Sequence, residues 1–257
     1  MGREAELAAL VDFLEAPARL PGALLLEGEA GIGKTTLWRR GLELASARSY
    51  RVLSCRPSAP EAQLSFVALG DLLHGALEEV LPALPQPQAN ALAVALLVDE
   101  ATGPSPDQRA IALAFLGALR ALAQAGPVAV AIDDLQWLDR PSAFVLEFAL
   151  RRLRVDAVAF IFALREEQAT AAPLDLERAL TEERLLRLRI GPLSLGALHR
   201  LVNDRLDLIL ARPTLRRLGE LSGGNPLFAL SWGGPFARHG DASGGRAVAG
   251  LADAARR

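Results

Sequence analysis

Apolar residues recur in two rhythms along this chain, and the two rhythms alternate. Runs that are apolar at every position lie at 23–26, 128–132 and 157–164, each bounded by turn residues or charges. Such runs read as strands buried on both faces, as at the centre of a parallel sheet. Residues 50–55 read as a further strand. Residues 184–190 intersperse Leu185, Leu186, Leu188 and Ile190 with arginines, which suits an edge strand. Between these runs the apolar positions fall at helical spacing. Leu7, Leu10, Val11 and Leu14 mark a helix over 3–15, ended by Pro17 and Pro21-Gly22. Helices are also expected over 34–47, over 141–153, from the N-cap Ser194 to 206, and over 214–221.

Residues 61–126 read as helical throughout. The pattern predicts one helix at 64–80, a rigid spacer at Pro82, Pro85 and Pro87, and a second helix at 88–98. A turn follows at Gly103-Pro104-Ser105-Pro106, then a third helix capped by Asp107 and running to 125. This block is long for a simple crossover, so it is expected to be a helical insertion whose alanine- and leucine-rich faces pack into the core. Beyond Leu230 no hydrophobic period persists, and 231–257, rich in glycine, is expected to be loosely held. Strands alternating with helices argue for an α/β fold with a doubly wound parallel sheet. The expected layout is a core over 1–190, a small C-terminal helical segment over 191–230, and the tail.

Composition narrows the class. A chain of 257 residues, 51% hydrophobic, holds one large α/β domain with a small appendage. The net charge of −2 gives no global basic footprint for nucleic acid. Cys55 is the single cysteine, which leaves no disulfide framework. His74, His199 and His239 are scattered without metal-ligand spacing. The charged start Gly2-Arg3-Glu4-Ala5-Glu6 lacks the apolar stretch of a secretory signal. The greasiest window, 110–132, is divided by Arg120, Gln124 and Gly126-Pro127, so no membrane span is expected and a cytoplasmic location is the default.

One stretch carries the chemistry. Gly28-Glu29-Ala30-Gly31-Ile32-Gly33-Lys34-Thr35 fits G-x-x-x-x-G-K-[ST] at every fixed position, after a strand-like run and with Lys34, Thr35 and Thr36 opening a helix-like run. Glycines let the backbone turn with positive φ and approach a phosphate without a Cβ in the way. Successive N–H groups and the helix N-terminus then favour an anion. Lys34 can reach the β- and γ-phosphates, and the Thr35 hydroxyl can sit on Mg²⁺. Lys34 is also the only lysine; the other 27 of the 28 basic residues are arginine. A chain that otherwise uses arginine keeps lysine where a compact ammonium fits among phosphates.

The apolar run 128–132 ends in Asp133-Asp134. A carboxylate at a strand's C-terminal end can hold the Mg²⁺ that bridges β- and γ-phosphates, so Asp133 is the candidate metal residue with Thr35. Asp134 is placed to orient the attacking water. Arg165 ends the next strand, where ligands of open α/β sheets lie, and is placed to contact the γ-phosphate; the alternative is a surface pair with Glu166 or Glu167.

These stretches resemble the nucleotide-binding domain of the STAND class of AAA+-related P-loop ATPases, as in large LuxR-type bacterial transcriptional regulators. Gly2-Arg3-Glu4-Ala5-Glu6-Leu7 is similar to the family's opening motif and 28–36 to its Walker A. Asp133-Asp134-Leu135-Gln136-Trp137-Leu138-Asp139 resembles its Walker B and the turn that follows. Phe162-Ala163-Leu164-Arg165-Glu166 is similar to its sensor 1. Gly191-Pro192-Leu193-Ser194 and Gly223-Gly224-Asn225-Pro226-Leu227-Phe228 are similar to later landmarks, which makes 191–230 the start of a helical lid.

The resemblance implies a five-stranded parallel core with the P-loop strand beside the sensor strand. It implies ATP and ADP as ligands, with Gly2, Arg3 and Pro226 near the adenine. It further implies slow hydrolysis and a switch that ADP holds closed and ATP opens for self-association. Family members usually continue into a helical-repeat sensor and a helix-turn-helix. This sequence shows neither after Phe228, so a fragment, a truncated gene product or a stand-alone module is expected, and direct DNA binding is not carried over.

Two other functions compete with this reading. One is a non-catalytic, nucleotide-stabilised interaction module with 61–126 as its contact surface. The other is an origin-recognition-like ATPase acting on DNA, disfavoured by the near-neutral charge and the lack of a winged helix.

Overall fold

The computed structural model describes residues 2–16, 21–100 and 105–238. Five strands form one parallel sheet in the order β2-β3-β4-β1-β5. They are β1 (Gly22–Gly28), β2 (Arg51–Cys55), β3 (Val128–Ile132), β4 (Val158–Arg165) and β5 (Leu185–Arg189). β1, β3 and almost all of β4 are buried at every residue, which is why they are apolar except at Glu27 and Arg165 near their C-terminal ends. The edge strand β2 mixes buried, half-buried and exposed positions, and β5 has only half-buried and exposed ones. On β5, Arg187 bonds both Glu27 and Glu177 at 2.7 Å, and Arg189 pairs with Glu166.

Helices cover both faces of the sheet. α1 (Glu4–Glu15) and α2 (Lys34–Ala47) lie over one of them. The Trp38 indole of α2 donates to the Ile161 carbonyl of β4, and at Gly41 a Cβ would meet Leu10 at 3.2 Å. The opposite face buries Leu25, Val130, Phe160 and Phe162 against the helical block. That block contains α3 (Val67–Leu73), α4 (Leu77–Val80), α5 (Gln86–Ala95), α6 (Gln108–Ala125) and α7 (Arg140–Leu150). Asp107 caps α6 by accepting from Arg109 N–H. α8 (Leu176–Ala179) is a single turn before β5. Among the described residues no helix is long and apolar enough to cross a membrane.

Three expectations change within this block. The helix expected over 64–80 is two, α3 and α4, with a turn at 74–76 that contains Gly75. Its start is also delayed, because Phe66 takes a left-handed conformation at φ 62° and the Asp139 carboxylate accepts from the Phe66 and Ala68 amides. The proline spacer is shorter than expected. Pro87 lies in the first turn of α5, where its missing N–H costs nothing, so that helix starts at Gln86. α5 ends at Ala95 and leaves 96–98 as turn, with Leu97 at φ 57°. The expected features at Pro17, Gly103-Pro104, His239 and 239–257 lie outside the described residues.

By its internal contacts the chain divides into two units. The larger comprises 5–29 and 34–190, and so holds the whole sheet. Among the described residues, the smaller comprises 2–4, 30–33 and 191–238, and holds α9 (Leu195–Leu206), α10 (Arg212–Ser222) and α11 (Pro226–Arg238). Its own core is Leu198, Val202, Leu210, Leu218, Ala229 and Trp232. Ser194 caps α9 by accepting from Ala197 N–H. α11 runs past Leu230, where the sequence pattern fades. Phe228 and Trp232, one turn apart, stack at 5.7 Å, and at Gly233 a Cβ would meet Leu206 at 2.7 Å. Two glycine landmarks explain each other here. Gly224 sits at φ 76° with no room for a Cβ beside Pro192 and Leu193, and its carbonyl accepts from Leu193 N–H at 2.9 Å.

Candidate functional site

In the larger unit the strand C-termini bring four functional segments to one edge of the sheet. Gly28, the last residue of β1, is in register with Arg165 of β4. Cys55 of β2 is in register with Ile132 of β3, so the next residues, Arg56 and Asp133, emerge side by side. Lys34 opens α2 and is buried, with 7% of its surface exposed. Its ammonium donates to the Gly28 carbonyl at 2.7 Å and to the Glu29 carbonyl at 2.8 Å. Burial lowers the Lys34 pKa, and the Arg165 charge adds to this; Glu167, Asp134 and Asp133 oppose it. A cation desolvated in this way and held by neutral carbonyls is in want of an anion.

Asp133 is buried, and its Oδ2 accepts from Arg56 Nε at 3.1 Å. Its Oδ1 accepts from the Asp134 amide, also at 3.1 Å. Asp134 takes a left-handed conformation at φ 52° and ψ 49°. Its Oδ1 accepts from Gln136 Nε2 at 2.7 Å and from Arg165 Nε at 3.4 Å. Gln136 Oε1 in turn accepts from the Arg165 amide at 3.3 Å. Asp134, Gln136 and Arg165 therefore form a closed trio, and Arg165 pairs with Asp134 instead of Glu166 or Glu167. Asp139 is nearly fully buried; besides the Phe66 and Ala68 amides it accepts from Ser142 N–H at 2.9 Å, capping α7. The turn after Asp134 thus anchors the helical block.

Gly28, Glu29, Lys34, Thr35 and Thr36 belong to the larger unit and Ala30, Gly31, Ile32 and Gly33 to the smaller. Gly31 at φ 77° and Gly33 at φ 104° flank Ile32, a backbone conformation that glycine adopts without strain. In the smaller unit Gly2 sits at φ 73° with no space for a Cβ beside Ala197. Arg3 donates to the Ile32 carbonyl at 2.9 Å, and Pro226 opens α11.

Two residues engaged with the site carboxylates had no role assigned from the sequence, Arg56 and Gln136. Arg56 becomes legible only once β2 and β3 are known to be neighbours. Gln136 lies inside a motif stretch, but its two partners are set by the turn.

A glycine-rich G-x-x-x-x-G-K-T loop after β1, which lies between β4 and β5 in a parallel α/β sheet, with acidic residues at the end of β3, defines a P-loop NTPase fold. The AAA ATPase domain family matches residues 1–161. This is more than half of the 257 residues, and the chain belongs to that family. No curated protein matches it. Among solved structures, the ORC1 protein of Aeropyrum pernix in complex with DNA is 19% identical with a TM-score of 0.52, over 89% of this chain and 57% of that one. A STAND protein with a tetratricopeptide repeat sensor from Pyrococcus horikoshii is 14% identical with a TM-score of 0.52, over 88% of this chain and 28% of that one. The ORC2 protein of Aeropyrum pernix, in ADPNP and ADP complexes, is 17% identical with a TM-score of 0.51, over 88% of this chain and 59% of that one. The chain spans little more than half the length of the ORC structures and under a third of the STAND protein. These likenesses establish the fold.

Proposed function

We propose that this chain binds ATP at 28–36 and hydrolyses it slowly, as a nucleotide-dependent signalling switch of the STAND kind found in large LuxR-type regulators. Lys34 carries the reading. It is a buried ammonium that bonds two backbone carbonyls and, among the described residues, forms no ion pair. Phosphate oxygens would supply the missing counter-charge. Thr35 and Asp133 offer the oxygen ligands that Mg²⁺ takes, so the residues present fit that ion. When bound, it would neutralise charge on the β- and γ-phosphates. Gly2, Arg3 and Pro226 are proposed to line the adenine side.

Asp134 is proposed to orient the water that attacks the γ-phosphorus, and Arg165 to contact the γ-phosphate. Both are engaged with each other and with Gln136. Their pairing through Asp134 Oδ1 holds both side chains in place, and Asp134 keeps Oδ2 to accept from a water. In this reading ATP promotes self-association and ADP does not.

An origin-recognition-like ATPase acting on DNA is a second reading, supported by a likeness to the DNA-bound ORC1 protein as strong as that to the STAND protein. Phosphate release in Mg²⁺, light scattering with ATP or ADP, and duplex DNA binding across a salt series separate the readings. The switch predicts slow release, reduced about a hundredfold or more in Asp134→Asn with ATP binding retained. It also predicts ATP-dependent association and no salt-sensitive DNA binding. Binding that weakens steeply with salt would favour the DNA-acting reading. ATP binding without turnover or association would leave the non-catalytic module.

A further inference from the structure

Three successive carbonyls at the tip of the phosphate-binding loop are each received by a donor from outside the loop. The Ala30 carbonyl accepts from the Asn225 side-chain amide at 2.9 Å. The Gly31 carbonyl accepts from Leu227 N–H at 3.3 Å. The Ile32 carbonyl accepts from the Arg3 guanidinium at 2.9 Å. All of these residues belong to the smaller unit. In a trans peptide the C=O of one residue and the N–H of the next lie antiparallel in one plane. Fixing the carbonyls of Ala30, Gly31 and Ile32 therefore fixes the N–H directions of Gly31, Ile32 and Gly33, the amides a phosphate needs.

We propose that Asn225 is a positioning residue for the phosphate cradle: with the Leu227 amide and Arg3 it holds the loop carbonyls so that the loop amides are set before nucleotide arrives. The proposal rests on the ATP reading above. Asn225 is buried, with 2% of its surface exposed. Its Oδ1 accepts from Leu227 N–H at 3.0 Å while its Nδ2 serves Ala30, so the position uses both halves of a carboxamide. The left-handed Gly223 and Gly224 bring Asn225 to this place, and Asn225 N–H donates to the Ser222 carbonyl at 2.9 Å. Pro226 has no N–H, so that of Leu227 is the first the new helix offers. The approach is close. A Cβ at Gly31 would stand 2.7 Å from Leu227 Cβ and 3.0 Å from Asn225 Oδ1. The Gly223–Leu227 turn and the phosphate cradle are thus one device. By reciprocity, a phosphate that orders the loop also stabilises the turn.

The test uses the full chain, labelled with ¹⁵N and free of nucleotide. Backbone order parameters are measured for Gly31, Ile32 and Gly33, and inorganic tripolyphosphate with Mg²⁺ is titrated by calorimetry. Tripolyphosphate probes the cradle without a base. The wild type is expected to show rigid amides, with order parameters of about 0.85. Asn225→Ala should bring these three amides towards flexible values while the sheet amides stay rigid. It should also weaken tripolyphosphate three- to tenfold, roughly the worth of one neutral hydrogen bond. Asn225→Asp keeps the acceptor for Leu227 and loses the donor for Ala30, so it should loosen the same amides even if the alanine variant folds poorly. Unchanged order parameters in both variants would overturn the proposal. So would an unchanged tripolyphosphate affinity in Asn225→Ala when the wild type binds. A wild type that binds no tripolyphosphate would overturn the ATP reading instead, and the order parameters would still decide whether Asn225 holds the loop.

Discussion

A buried ammonium costs free energy unless something of opposite charge receives it, and at Lys34 two carbonyls meet that need only in part. The same economy is visible in the glycines of the loop, which are required for different reasons. Gly33 belongs to the consensus and is held at φ 104° with nothing near a would-be Cβ, so its requirement is conformational. Gly31 occupies a free position of the consensus, yet it combines φ 77° with a collision against Leu227. Alanine at Gly33 should therefore cost only the strain of a left-handed residue, about 1–2 kcal/mol. Alanine at Gly31 should cost more. Thermal melts of the two variants without nucleotide check this, and equal melting points would contradict it. The need for Gly33 was legible from the motif. The packing need for Gly31 was not, because it is set by Leu227, nearly two hundred residues along the chain. Asn225 was hidden in the same way: it stood inside a recognisable stretch, but its partner Ala30 lies 195 positions away.

Among the elements, the strands were the most legible. β1, β3 and β4 are covered on both faces, and their unbroken apolar runs suit such a position. The helical block was legible as helix and poorly legible in its joints. Leucine and alanine spacing over 64–80 suits one helix, and the sequence around Phe66 carries no strong stop. The start of α3 is set by Asp139, which joins the turn after β3 to the amides of Phe66 and Ala68 and to the cap of α7, with Ser142 Oγ accepting from the Leu69 amide. Replacing Asp139 by alanine removes a helix cap and leaves buried amides unsatisfied. We expect a loss of roughly 2–4 kcal/mol, read as a lower urea midpoint. Asp139→Asn keeps an acceptor oxygen and should lose less. A midpoint unchanged in Asp139→Ala would mean that the turn and the block are not joined through this carboxylate.

For the molecule as a whole, each of the two units carries its own core, and the chain contributes to the smaller one from three places: the residues before α1, the loop tip at 30–33, and everything from Gly191 onward. The parallel direction, the edge place of β5 and the neighbouring of β1 and β4 follow from the sequence and its family resemblance. The membership of 30–33 in the smaller unit does not, because it arises from contacts between distant segments. Fluorescent ATP titration in Mg²⁺, run on the full chain and on Lys34→Ala, tests the central claim most directly. The account predicts saturable binding by the wild type, competed by ADP, and its loss in the variant with the melting temperature of the free protein largely kept. Equal binding by both proteins, or binding by neither, would contradict it.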